Sequence, residues 1–130
     1  MGQATEEFFA ALPKRAPAVL RGPAGGTLQV DLTAGNRTEH WYLELAPGSV
    51  RVSREQRLAD ATFTVGADLF EELAEGRESA LAAVFRNEAT LSGNVLLFLL
   101  FRRFFPDPPG TRDPREVARE VAREQAGQPG

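Results

Sequence analysis

With 130 residues, 42% of them apolar and 25% charged, the chain has the composition of one globular domain large enough to bury a core. Its net charge of −3 offers no electrostatic case for nucleic acid. The absence of cysteine excludes disulfides, thiolate catalysis and cysteine-ligated zinc together.

The first residues, Met1-Gly2-Gln3-Ala4-Thr5-Glu6, lack the basic-then-apolar pattern of a secretory signal, and Glu6 stands where a myristoylation motif needs Ser or Thr. The expectation is a cytoplasmic protein, in which the sequon Asn36-Arg37-Thr38 goes unused. Thr5-Glu6-Glu7 before Phe8, Phe9 and Leu12 reads as a capped helical turn with an apolar stripe. Pro13 should break or kink it, with Val19 and Leu20 continuing the packing until Gly22-Pro23-Ala24-Gly25-Gly26 ends it. That glycine cluster has no strand before it and no Gly-Lys-Ser/Thr after it, so it reads as a turn rather than a phosphate loop.

Strict alternation follows. Leu28, Val30 and Leu32 share a face of one strand, and Trp41, Leu43 and Leu45 share a face of the next, with His40, Tyr42 and Glu44 opposite. Pro47-Gly48 turns into Val50-Arg51-Val52, and Ala61, Phe63 and Val65 alternate with Asp60, Thr62 and Thr64. Four strands with short links predict an antiparallel meander with one buried and one wet face. The period then changes. Asp68 to Ala74 and Ser79 to Phe85 read as short helices, and Thr90 to Gly93 as a fifth strand.

Next comes the stretch Val95-Leu96-Leu97-Phe98-Leu99-Leu100-Phe101, then Arg102-Arg103-Phe104-Phe105, stopped by Pro106. On a helical wheel it has no polar face along its first two turns, whereas a helix covering a sheet needs only one apolar stripe. It is expected to bury nearly its whole circumference, against another helix, a partner subunit, a membrane or a bound lipid. It falls far short of the ~20 apolar residues that span a bilayer. From Pro106 to Gly130 the prolines and the thin stripe of Val117 and Val121 predict a linker and an amphipathic tail outside a domain of residues 1–105.

Little in the chain suggests catalysis. His40 is the sole histidine, and the pairs Glu6-Glu7 and Glu71-Glu72 diverge by ~100° on their helices. Ser92-Gly93-Asn94 is no nucleophile elbow. No cofactor or metal site is expected, and an enzyme is the least favoured class.

The order of motifs resembles the sterol carrier protein 2 (SCP-2 sterol-transfer) family. The residues carrying it are Gly26-Thr27-Leu28-x-Val30-Asp31-Leu32-Thr33, Glu39-His40-Trp41-Tyr42-Leu43-x-Leu45, Gly48-x-Val50-x-Val52, Ala59-Asp60-Ala61-Thr62-Phe63, Phe70-x-x-Leu73-x-x-Gly76-Arg77 and Leu91-Ser92-Gly93-Asn94 with the apolar helix after it. The resemblance implies an α+β fold, a five-stranded, mostly antiparallel sheet covered by helices, with an apolar tunnel between them. It also implies a non-enzymatic carrier of fatty acid, fatty acyl-CoA or sterol-like lipid. Arg77-Glu78-Ser79-Ala80 and Asn87-Glu88-Ala89-Thr90 depart from the usual family pattern, and the terminal Gln128-Pro129-Gly130 is not a peroxisomal signal.

On that reading Leu81, Val84, Phe85, Leu97, Phe98, Leu100, Phe101 and Phe104 form the tunnel wall. Arg102 and Arg103 either meet a lipid headgroup or complement the helix dipole. The alternative is an interaction module, in which Val95 to Phe105 buries its outer side against a second copy or a partner. Transient contact with a membrane is a further expectation.

Overall fold

In the computed structural model, residues 2–106 are described; the tail expected as far as residue 130 lies outside them beyond Pro106. Helix α1 (Gln3–Val19) is followed by strands β1 (Gly26–Ala34), β2 (Arg37–Ala46), β3 (Ser49–Ser53) and β4 (Ala61–Gly66). Two short helices, α2 (Ala67–Ala74) and α3 (Ala80–Phe85), precede β5 (Ala89–Gly93) and α4 (Val95–Phe101), which tightens into a 3-10 turn over Arg102–Phe104. Alternation made the strands. Leu28, Val30 and Leu32, Trp41, Leu43 and Leu45, and Ala61, Phe63 and Val65 all turn their side chains to one face and are buried there. Phe9 of α1 stacks on Trp41, and Phe98 of α4 meets Phe63, so the helices cover that same face.

The sheet is mixed rather than a meander. Its order is β3-β2-β1-β4-β5, with β4 parallel to β1 and the other neighbours antiparallel. The chain leaves β3 at one edge and must return the length of the sheet before β4 can run alongside β1. Segment 54–60 makes this return across the face opposite the helices, where Gln29 and Tyr42 point. The Gln29 amide donates to the Glu55 carbonyl at 3.4 Å and accepts from the Arg57 N–H at 3.1 Å, while the Arg57 guanidinium lies over the Tyr42 ring. Gln29 and Tyr42 occupy wet-face positions by alternation, yet both are buried under this crossing strap.

Two features of α1 differ from expectation. It runs through Pro13 and Pro17 without interruption, because Phe8, Phe9, Leu12 and Ala16 are buried in the core while both prolines are exposed, and packing outweighs the missing amide hydrogen bonds. Thr5 is not its cap. The helix begins earlier, Thr5 is fully buried, and the cap comes from α2: the Glu71 carboxylate accepts from the Thr5 N–H at 2.7 Å, the Thr5 hydroxyl at 2.9 Å and the Ala4 N–H at 3.2 Å.

Candidate functional site

Helix α4 is set on the sheet by a junction at its first turn. The Asn94 side chain accepts from the Leu96 N–H at 3.0 Å, capping the helix, and the Asn94 N–H donates to the Asp60 carbonyl at 2.9 Å. Asp60 in turn accepts from the Thr27 N–H at 3.0 Å and donates its own N–H to the Thr27 hydroxyl at 2.9 Å, joining the starts of β1, β4 and α4. Gly93, at φ +86°, lies so close to the Asp60 carbonyl that a Cβ would collide with it. At the other end Arg15 of α1 donates to the Phe104 carbonyl and sits over the Phe104 ring at 5.6 Å.

Between these two ties the inner face of α4 meets an aromatic interior. Phe98 lies 5.2 Å from Phe63, and Phe101 lies 6.4 Å from Phe63, 5.7 Å from Phe8 and 5.2 Å from Phe105, centroid to centroid. Phe8 stacks on Phe105 at 4.6 Å, and Phe9 joins Phe70 to Trp41. Edge-on and offset contacts of this kind are the favoured arrangements of aromatic quadrupoles.

The residues expected as a tunnel wall divide into three groups. Leu97, Phe98, Leu100, Phe101 and Phe104 are buried together along the inner face, and Leu81 and Val84 of α3 are part-buried against the same core. Phe85, at the last position of α3, is 77% exposed and stands apart from the others in solvent. Nor does α4 bury its whole circumference, as its apolar run suggested: Val95, Leu96 and Leu99 are 54%, 48% and 36% exposed. Arg102 is half-buried and Arg103 exposed.

Phe63, Phe98, Phe101 and Phe104 are all but fully buried in this interior. A groove of about 660 Å³ lies at the far end of β1 and β2, lined by Glu6, Leu32, Arg37, Thr38, Glu39 and Ala67. A polar cleft beside Tyr42 and Arg51 lies elsewhere on β2 and β3. The third, a dimple of about 40 Å³, brings Leu81 and Ser79 of α3 beside Arg102, Phe105 and Pro106. It marks the seam between α3 and the end of α4.

Trp41 faces inward as its alternation with Leu43 and Leu45 predicted. Its ring stacks on Phe9 at 4.0 Å, the Arg54 guanidinium lies 4.0 Å from its centroid, and its Nε1 is buried without a hydrogen-bond partner. Arg54 is itself held by the Glu39 carboxylate and the His40 carbonyl. On the opposite sheet face His40 Nδ1 lies 2.7 Å from Asp31.

A five-stranded sheet with helices on one face and an apolar, aromatic-lined interior defines an α+β domain of the sterol-carrier type. The chain belongs to the SCP-2 sterol transfer family, whose sequence model matches residues 6–106. No curated protein sequence matches it. Among solved structures it is similar to Sterol Carrier Protein 2 from Aedes aegypti in complex with the C16 fatty acid palmitate, with 22% identity and a TM-score of 0.63 over 80% of this chain and 96% of that one. It is similar also to palmitated SCP2L2 from the same organism, at 20% identity, a TM-score of 0.62, and 78% and 92% coverage. The sec-alkyl sulfatase PisA1 contains the same fold in 16% of its length, at 16% identity and a TM-score of 0.62 over 78% of this chain. At these identities the likeness is one of fold.

Proposed function

We propose that this chain is a non-enzymatic lipid carrier that holds one long apolar ligand, such as a fatty acid, a fatty acyl chain or a sterol-like lipid, between α4 and the sheet. The observation that carries the reading is the inner face of α4. Leu97, Phe98, Leu100 and Phe101 meet an interior of phenylalanine rings, and α4 itself is a seven-residue helix held by ties at its two ends. An acyl chain entering there displaces no polar contact: ring–ring contacts are exchanged for ring–methylene contacts. Each methylene withdrawn from water contributes ~0.8 kcal/mol, so a dozen supply roughly 10 kcal/mol against an association cost of about 4–15 kcal/mol. Family membership and the palmitate described for two relatives support this ligand class. On this reading Arg102, which lines a small dimple with Ser79 and Leu81, would meet the ligand's carboxylate.

The test is native mass spectrometry of protein purified without added lipid, followed by delipidation and palmitate titration. A copurified lipid adduct is expected. Palmitate at 100 times its Kd should add about 2.7 kcal/mol to stability, read as a rise in melting temperature, and should change the emission of Trp41, whose Phe9–Phe70 stack adjoins the site. Absence of both a copurified adduct and a palmitate-dependent rise would overturn the proposal.

A further inference from the structure

Among the described residues one buried side-chain nitrogen lacks a hydrogen-bond partner, Trp41 Nε1. Thr5 and Gln29, the other deeply buried polar side chains, are bonded through their hydroxyl and amide. A buried N–H without an acceptor forfeits more than a made bond returns, and native interiors leave few of them. Phe9 and the Arg54 guanidinium each lie 4.0 Å from the Trp41 ring centroid. Two groups at that distance cannot share one face, so the ring is sandwiched and its N–H edge is what remains for a ligand. That edge belongs to the interior already assigned to lipid. Ring contacts run from Trp41 to Phe9 at 4.0 Å, on to Phe8 at 5.4 Å and to Phe105 at 4.6 Å, and Phe105 lines the dimple with Arg102. In the other direction the next same-face residue of β2 is Glu39, which lines the groove with Thr38 and bonds the same Arg54.

We infer that the ligand is a hydroxylated fatty acid, whose chain hydroxyl accepts a hydrogen bond from Trp41 Nε1 at the end of the site remote from Arg102. The inference rests on the carrier reading and names the ligand class of that same site. The accepting oxygen is neutral. Arg54, the cation on this ring, is already bonded to the Glu39 carboxylate, so a second carboxylate brought here would be buried without a counter-charge. A hydroxyl instead finds a partner for its own proton in Glu39 at the adjoining groove. The two polar ends of the ligand then meet Trp41 and Arg102, and the phenylalanine rings between them take the methylenes. Such an arrangement discriminates. A wholly apolar interior rejects a hydroxyl, which loses its water on entry. A site with a waiting donor penalises the analogue that leaves the donor unpaired.

The experiment is calorimetric titration of the delipidated full chain with palmitate, ω-hydroxypalmitate and the α,ω-diacid of the same length. Wild type should bind the hydroxy acid at least as tightly as palmitate, and the diacid more weakly than the hydroxy acid. The chain has a single tryptophan, so its indole N–H resonance reports directly and should move further downfield with the hydroxy acid than with palmitate. Two variants remove the donor: Trp41→Phe, and 3-benzothienylalanine in place of Trp41, which keeps the bicyclic shape with sulfur where the N–H was. Each should shift the ratio of the two affinities about tenfold toward palmitate, the worth of one hydrogen bond. Three results would overturn the inference. Wild type could prefer palmitate by about tenfold or more; the benzothienyl variant could keep the wild-type ratio; or the diacid could bind more tightly than the hydroxy acid. Each of these leaves palmitate binding, and with it the carrier reading, in place. Wild type that binds none of the three acids would overturn both.

Discussion

The carboxylate of Glu71 does its work on another helix. Desolvation pushes its pKa up, but hydrogen bonds from the Thr5 N–H, the Thr5 hydroxyl and the Ala4 N–H more than offset this and hold it below the ordinary carboxylate value. A depressed pKa contributes stability that is present above the unfolded-state value, near ~4.3, and lost as pH falls through the folded-state value. Glu71→Gln should therefore cost about 1–2 kcal/mol near neutral pH, and the gap between variant and wild type should close below about pH 4 in urea melts. A gap that stays constant from neutral to acid pH would show that the charge is irrelevant. Sequence could not reveal this cap: Glu71-Glu72 looks like any solvated pair, and the Thr5 partner is 66 residues away. Trp41 was legible because its position follows from alternation alone. Phe85 was misplaced because helical spacing cannot say where a six-residue helix stops being covered.

At the scale of elements, α4 is positioned by the three residues before it. Gly93→Ala would force a Cβ onto the Asp60 carbonyl at a positive φ. It should cost at least ~2 kcal/mol, measured by denaturant unfolding, and a neutral result would mean that α4 can shift without loss. Ser92-Gly93-Asn94 could be read from the sequence only as something other than a nucleophile elbow; its role as turn, close approach and cap appears once Asp60 is beside it. The apolar run of α4 was legible, but its exposed arc was not. Arg102 and Arg103 follow on the side of Val95 and Leu99, but a run that is apolar all round carries no mark of how much of that side is left uncovered. The two prolines of α1 misled in the opposite sense: local propensity argued for a break, and burial of Phe8, Phe9, Leu12 and Ala16 overrode it.

For the molecule as a whole, strand positions were readable and their pairing was not. The alternation of β1 to β4 fixes faces, yet nothing in it distinguishes a meander from a sheet in which β4 lies parallel to β1. What decides is the strap 54–60 and its anchor. Gln29→Leu leaves the Glu55 carbonyl and the Arg57 N–H without this partner beneath the strap. It is expected to cost about 1–3 kcal/mol in equilibrium unfolding, while a cost within ~0.5 kcal/mol of zero, the range of ordinary surface changes, would show that the strap holds without it.

That same strap gives the domain two halves of unequal permanence. Strands β1, β2 and β3 are joined by tight turns, whereas β4, β5 and α4 join them through a parallel ladder whose start is tied by Thr27 and Asp60, 33 residues apart, and through the contacts of Arg15 and Phe8 with the end of α4. Contacts of such separation are slow to form, and we expect this half to open at less than the cost of global unfolding. In Gln29→Leu, amide exchange should accordingly quicken in β4, β5 and α4 before it does in β1 and β2. The wall proposed to admit a lipid belongs to this half, so on that proposal the parting of β4 from β1 would be the step that exposes the space between α4 and the sheet to a ligand.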